Sequence, residues 1–239
     1  MAAIGDSITL GVGAEPVGYG VAPAYSWATG DALVDGVRSH YERLLELEPQ
    51  IKGNNHNLAR GGARMTHARR QARRAIRLGV DYVTILLGGN DLCGRRSGEL
   101  TPLANFEKHI DDALQLLTRG LPQVHVYVLS IPNIYEMWDA LRADPMAMQM
   151  WAMAGTCRAL LSPDATVVRA FRDHNLAYNE ILERVCRRFD RCRFDEHAVY
   201  KHAYSPEYLS LDFFHPSYLG QRQLAEVSWR SGYWSEAAR

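Results

Sequence analysis

The chain has 239 residues, with 47% apolar and 23% charged residues and 27 lysine plus arginine against 27 aspartate plus glutamate. Such a length and balance fit one α/β unit with its own core, and exclude a disordered, collagen-like or coiled-coil chain. Zero formal net charge removes the global field of a general nucleic-acid binder, and no apolar run reaches the roughly eighteen residues of a membrane span.

From the start of the chain, Ala2-Ala3-Ile4 is a short apolar run that ends at Gly5-Asp6-Ser7. A central strand usually has about five or six residues. The short strand leads to the expectation that residues, a signal peptide among them, are removed upstream of Met1; no secretory signal is visible in the chain itself. A helical-length segment over 24–46 and a short strand near 54–58 follow, then Gly61-Gly62 and a helix over 63–78 that Ala63 opens. The run 80–87 ends at Gly88-Gly89-Asn90-Asp91, and the run 124–131 ends at Pro132-Asn133. Helical segments are read over 103–119, 145–161, 173–189 and 217–231, with a fourth strand near 165–170. Alternating strand and helix at this scale predict a parallel sheet covered on both faces, in a single domain spanning 1–239.

In an open parallel sheet, chemistry gathers beyond the carboxyl ends of the strands. A serine at a strand-to-helix turn, such as Ser7, exposes its oxygen while its own N–H faces the same space. Asp212-Phe213-Phe214-His215-Pro216 precedes the last helix. A carboxylate three residues from an imidazole can hold that ring while its Nε2 takes the serine proton. Ser7 N–H, Gly62 N–H and the Asn90 side-chain amide are candidate donors to an oxyanion. Asp6 and Asp91 are read as loop-fixing acceptors, and His56, His67 and His174 as solvent-facing.

Four cysteines, Cys93, Cys157, Cys186 and Cys192, form no CxxC pair or zinc-finger spacing, so no metal is expected. Composition leaves two bridges and four reduced thiols as open alternatives.

In order and spacing these pieces resemble the SGNH hydrolases, the GDSL lipase/esterase family. Its blocks are matched by Gly5-Asp6-Ser7-Ile8-Thr9, by Asn57 through Gly62-Ala63, by Gly88-Gly89-Asn90-Asp91 and by Asp212-Phe213-Phe214-His215-Pro216. The resemblance covers about 210 residues. It implies a three-layer α/β/α, flavodoxin-like fold with a central parallel sheet and a cofactor-free serine hydrolase of acyl esters. Ser7, Asp212 and His215 would be the catalytic residues, with Ser7, Gly62 and Asn90 forming the oxyanion hole. Arg60-Gly61-Gly62 is more basic and glycine-rich than the family's usual small residues. Trp27-Ala28-Thr29-Gly30, the segment Ser39 to Leu44, Gly89 to Cys93, and Ser130 to Tyr135 with Trp138 are similar to bacterial secreted lipases and phospholipases. That likeness implies bridges Cys93–Cys157 and Cys186–Cys192 and an extracytoplasmic location.

Five of the seven methionines fall between Met137 and Met153, with Trp138 and Trp151 among them. Methionine-rich surface adapts to flexible apolar ligands. Met137, Trp138, Met148 and Trp151 are accordingly expected to line an acyl-chain groove or a lid, against the alternative of a helix packed on the sheet. Seven arginines between Arg60 and Arg77 suggest transient contact with an anionic lipid surface, the alternative being a solvated helix face. No nucleic-acid module is present. The expectation is a monomer acting on a lipid-like or small acyl ester. Phospholipase activity, deacetylation of carbohydrate or small esters, and a ligand-binding protein without catalysis are the other readings.

Overall fold

The β-branched runs form the centre of a parallel sheet in a computed structural model that describes residues 1–16, 18–32, 36–93, 100–203 and 205–234. In chain order, β1 (Ala2–Gly5) turns directly into α1 (Ser7–Leu10), and α2 (His40–Leu47) precedes β2 (His56–Asn57). Next come α3 (Ala68–Leu78), β3 (Tyr82–Leu86), α4 (Gly89–Cys93), α5 (Leu103–Gly120) and β4 (His125–Val128). The remainder is α6 (Ile134–Leu141), α7 (Pro145–Ala154), α8 (Ala165–Cys186), β5 (Cys192–Phe194), α9 (Ala198–Lys201) and α10 (Tyr218–Ser231).

The sheet order is β2-β1-β3-β4-β5 and every pair is parallel. Strand order reverses between β1 and β3, which opens a crevice beyond their carboxyl ends. Gly5 lies opposite Leu86 across that pair, so the Gly5-Asp6-Ser7 and Gly88-Gly89-Asn90 turns emerge side by side.

Side chains alternate between the two faces, as a pleated strand requires. Ile4, Val83, Ile85, Val126 and Val128 pack with the buried stripes of α3, α5 and α8. Ala3, Tyr82, Leu86 and Tyr127 pack on the other face with Trp27, Tyr41 of α2 and Leu224 and Ala225 of α10. Helices thus cover both faces, giving three layers. On the second face the fully buried His40 is ringed by Trp27, Tyr82, Tyr127 and Trp229. Its Nδ1 lies 3.0 Å from Tyr82 Oη and its Nε2 2.8 Å from Ser228 Oγ. Desolvation, with help from the Arg43 charge, pushes this imidazole down to about 3, so it stays neutral.

Several sequence expectations need correction. The strand expected near 165–170 is the first turn of α8: Asp164 caps it by accepting from Thr166 N, and the segment continues helical to Cys186. The fifth strand is instead Cys192–Phe194, paired to β4. The segment 24–46 is helical only over His40–Leu47 and in a short 3-10 turn at Pro23–Tyr25. Between them the chain turns on backbone bonds such as Gly30 N to Ser26 O. The helix expected from Ala63 starts at Ala68, after a 3-10 turn over Met65–His67. The helix read over 145–161 stops at Ala154, and its cap Gly155 is left-handed, with φ 67°. Pro216 stands before the cap residue of α10, Ser217, rather than in its first turn.

Both disulfides implied by the resemblance are present. Cys93–Cys157 ties α4 to the segment after α7, and Cys186–Cys192 ties the end of α8 to β5.

Candidate active site

Ser7 stands at the junction of β1 and α1. Asp6 Oδ1 accepts from Ile8 N at 3.0 Å and caps α1. A side chain at Gly5 would place its Cβ 2.2 Å from Thr9 Oγ1, so only glycine lets the helix start this close to the strand. The buried amide of Gln71, on α3, grips Gly5 from both sides. Gly5 N donates to its Oε1 at 2.8 Å, and its Nε2 donates to Gly5 O at 3.0 Å. At the far end of α1, Thr9 O accepts from Ser26 Oγ and Asn57 Nδ2. Gln221 Nε2, from α10, donates to Ile8 O.

His215 Nε2 lies 2.8 Å from Ser7 Oγ, and His215 Nδ1 lies 2.5 Å from Asp212 Oδ2. With Asp212 ionised, Nδ1–H donates to the carboxylate and Nε2 is left to accept from the serine. Asp212 Oδ1 accepts from Ser210 Oγ at 2.7 Å, His215 N at 2.9 Å and Phe214 N at 3.0 Å. Oδ2 also accepts from Tyr19 Oη at 2.8 Å. Burial alone would raise this carboxyl, but the hydrogen bonds and charge of His215 outweigh it and hold it well below the usual carboxylate range.

The Asp212–His215 turn reverses at Phe213, which takes φ 58°. Trp151, fully buried on α7, donates from Nε1 to Phe213 O at 3.1 Å. Phe214 stands edge-on to both Trp151 and His215, at 5.7 and 5.1 Å between ring centroids.

The three candidate oxyanion donors come from the ends of three neighbouring strands. Ser7 N is an N-terminal amide of α1, outside the helix's own ladder. Gly62 lies in a turn beyond β2 at φ 71°, not at a helix start as expected. Asn90 is in the first turn of α4. Its Nδ2 donates to Ala63 O at 3.1 Å and, more weakly, to Asp6 Oδ2 at 3.3 Å. Burial raises the Asp6 carboxyl to about 6, against the lowering effect of the Ile8 amide and His215. Asp6 and Asp91 both fix loops, as the sequence suggests: Asp91 accepts from Met65 N and Thr101 Oγ1, each at 2.8 Å. His56, His67 and His174 are half-buried rather than solvent-facing, and His67 Nδ1 accepts from Arg64 N.

A cleft runs over Ser7 and Asn90, walled by Ile8, Ile131, Pro132, Ile134, Met137 and Phe214. Of the four residues expected to line an acyl groove, Met137 alone borders this cleft. Trp138 packs on Tyr135 under the Arg142 guanidinium, Met148 packs against the core, and Trp151 is inside it. The methionine segment is thus a pair of helices that bury Met137, Leu141, Ala147 and Trp151 in the core, with α6 against α8, while Met146 and Met153 remain exposed. Tyr19, Gln71 and the buttressing role of Trp151 carry no local sequence motif; each reaches the site through a contact distant in sequence. Among the described residues, no group of three or more His, Cys, Asp or Glu side chains is arranged to hold a metal.

The five strands run 2-1-3-4-5, all parallel, and at their switch point a serine, an imidazole and a carboxylate stand in line, the arrangement of a serine-hydrolase type of site. The chain belongs to the GDSL-like Lipase/Acylhydrolase family, whose pattern matches residues 3–223. It is 24% identical over 192 residues to the membrane-associated phospholipase B1 of Rattus norvegicus, an alignment covering 67% of this chain and 13% of that protein. The chain thus matches only a small part of that relative's length. A lipase from a goat rumen metagenome superposes with a TM-score of 0.57 at 18% identity, over 97% of this chain and 96% of that one. A family two carbohydrate esterase from Clostridium thermocellum gives 0.59 at 16% identity, over 99% of this chain and 64% of that one. These structural likenesses bear on the fold.

Proposed function

We propose that Ser7 is the nucleophile of an acyl-enzyme mechanism, carried by one observation: the unbroken line of contacts from Ser7 Oγ through both nitrogens of His215 to Asp212. Ser7 Oγ attacks the ester carbonyl as its proton passes to His215 Nε2. Asp212 orients the ring and stabilises the imidazolium. Ser7 N–H, Gly62 N–H and Asn90 Nδ2 hold the developing oxyanion, Asn90 by releasing its longer bond to Asp6. The imidazolium then protonates the departing alcohol, and a water activated by His215 cleaves the acyl-enzyme. Residues 1–239 act as one unit in this reading, since Ser7 and His215 come from opposite ends of the chain.

The favoured substrate is a lipid-like acyl ester. Apolar side chains wall the cleft beside Ser7, and a phospholipase is among the relatives. Contact with an anionic lipid surface is supported by the state of the arginines. Arg60, Arg69, Arg70, Arg73, Arg74 and Arg77 are exposed, and α3 contains no acidic residue. Among the described residues none of these six forms an ion pair, whereas eight other arginines pair with carboxylates at 2.5 to 3.3 Å. Two disulfides favour an oxidising, extracytoplasmic setting. No helix among the described residues is long and apolar enough to cross a membrane.

The test is hydrolysis of p-nitrophenyl esters of graded chain length and of defined phospholipids by the parent and by Ser7→Ala. Activity in the parent that disappears in the variant is the expected result, with longer acyl chains preferred over acetyl. Retention of activity in Ser7→Ala would overturn the assignment.

A further inference from the structure

The segment after α1 returns to the site it has just left. Val12 N donates to Ser7 O at 3.0 Å, and Val12 bridges Val21 in an antiparallel pair. Gly13 N donates to Gly20 O at 2.8 Å, and Ala22 N to Gly11 O at 3.1 Å, closing the stem. Two glycines make this stem feasible. Gly11 takes φ 76° with Ala22 O against it, and Gly13 takes φ 73° where a Cβ would sit 2.6 Å from Ser210 Oγ and 3.2 Å from the Tyr19 ring. Gly13 therefore lies between Ser210 and Tyr19. Both of those hydroxyls donate to the same carboxylate, Ser210 to Oδ1 and Tyr19 to Oδ2 of Asp212, at 2.7 and 2.8 Å.

Tyr19 is 50% exposed and belongs to neither core cluster, so apolar burial does not account for its placement. Its Oη bonds the oxygen that also holds the imidazole, and stands 3.4 Å from His215 Nδ1. We propose that Tyr19 is a positioning residue of the hydrolytic site, fixing Asp212 Oδ2 in line with His215 Nδ1 and tempering the carboxylate's pull on the imidazolium. This rests on the reading of Ser7, His215 and Asp212 as nucleophile, base and orienting acid. A donor on Oδ2 narrows the arc over which the carboxylate can rotate. By sharing the oxygen's charge, it also leaves less to stabilise protonated His215. Burial and the Asp212 bond raise the phenol far above its usual value, so Tyr19 remains a donor throughout the working pH range. Three titratable groups bear on His215: Asp212 and Tyr19 at Nδ1, and the buried Asp6 through its charge.

The experiment compares kcat/KM against pH for the parent, Tyr19→Phe, Tyr19→Ala and Ser7→Ala on a short, soluble acetyl ester. Both Tyr19 variants are expected to lose activity about fivefold, mainly in kcat, the scale of a lost bond to a charged group that water partly replaces. In both, the acid limb moves to higher pH by about half a unit, because the unshared carboxylate holds the imidazolium more firmly. Tyr19→Phe behaving as the parent would overturn the inference, whether or not Tyr19→Ala loses activity. A fall in rate with the acid limb unmoved would also overturn it, since packing alone would do the same. Activity surviving in Ser7→Ala would overturn both this inference and the mechanism beneath it. An inactive Ser7→Ala beside an unaffected Tyr19→Phe would sink the inference alone.

Discussion

The indole Nε1 of Trp151 donates to the carbonyl oxygen of Phe213, the residue in left-handed conformation between Asp212 and His215. A residue of α7 thereby holds the turn that presents the imidazole to Ser7. Trp151→Phe keeps an aromatic ring in the core but removes the donor and leaves a cavity where the rest of the indole stood. It is expected to cost about 2–4 kcal/mol of stability and to lower kcat about tenfold through small misplacement of His215. The loss should be equal on acetyl and octanoyl esters, because the indole lies in the core rather than along the cleft. Met137→Ala, which widens the cleft wall, should instead move the chain-length optimum upward. A chain-length-dependent loss in Trp151→Phe would return that residue to the acyl-binding surface.

Gln71 is the second remote support. Gln71→Leu takes the side-chain acceptor from the buried Gly5 N–H, while Gly5 O keeps the Arg60 N–H at 3.2 Å, at a cost of about 1–3 kcal/mol. Urea unfolding should show the midpoint falling with little change in slope. An unchanged midpoint would mean that Gly5 finds other partners.

Two buried groups oppose each other in their response to acid. Asp6 has its folded value raised to about 6 by burial. Its contribution is fully present below the unfolded value of 3.8 and is lost as pH rises through about 6. His40 is lowered to about 3, so its contribution is present above 6.5 and is lost as pH falls toward 3. Between about pH 4 and about 6 these two slopes oppose each other, each reaching up to about 1.4 kcal/mol per pH unit. Asp6→Asn should therefore unmask a stability that falls with decreasing pH, and His40→Gln one that rises. Parallel stability-versus-pH curves for parent and variants would refute this pairing.

The bridges differ in what they enclose. Cys93–Cys157 spans 64 residues and Cys186–Cys192 spans 6. Chain-entropy arithmetic gives about 4 kcal/mol for the first and about 2 kcal/mol for the second. Paired serine replacements should rank in that order by thermal unfolding, and a reversed order would show that native contacts rather than loop closure set the effect.

Neutralising Arg70, Arg73, Arg74 and Arg77 together as glutamines tests the lipid-surface reading. At about 1 kcal/mol per arginine near an anionic membrane, co-sedimentation with anionic phospholipid vesicles should fall at least about 100-fold, with turnover of a soluble acetyl ester retained. Vesicle binding equal to the parent's would remove the surface role.

The sequence made the interior strands legible because Val83-Thr84-Ile85 and Val126-Tyr127-Val128 are β-branched or aromatic runs buried on both faces. The same signal misleads at Thr166-Val167-Val168, where the capping Asp164 decides for helix. It is silent at Cys192-Arg193-Phe194, a strand made by its neighbour β4 rather than by its own pattern. Ser7, Asn90, Asp212 and His215 stand in short motifs, so their candidacy could be read locally. Tyr19, Gln71 and Trp151 act over separations of 193, 66 and 62 residues, which no local pattern encodes.

The bond between Ser7 and His215 joins residues 208 apart in sequence. Nearly the whole chain must be in place before that contact exists, and α10 also has to dock, since its Gln221 braces the helix that carries Ser7. The alignment of Ser7 with His215 therefore exists only in the completed fold. Partly folded chains hold Ser7 without His215 beside it, so recovery of activity should trail recovery of helical signal during refolding.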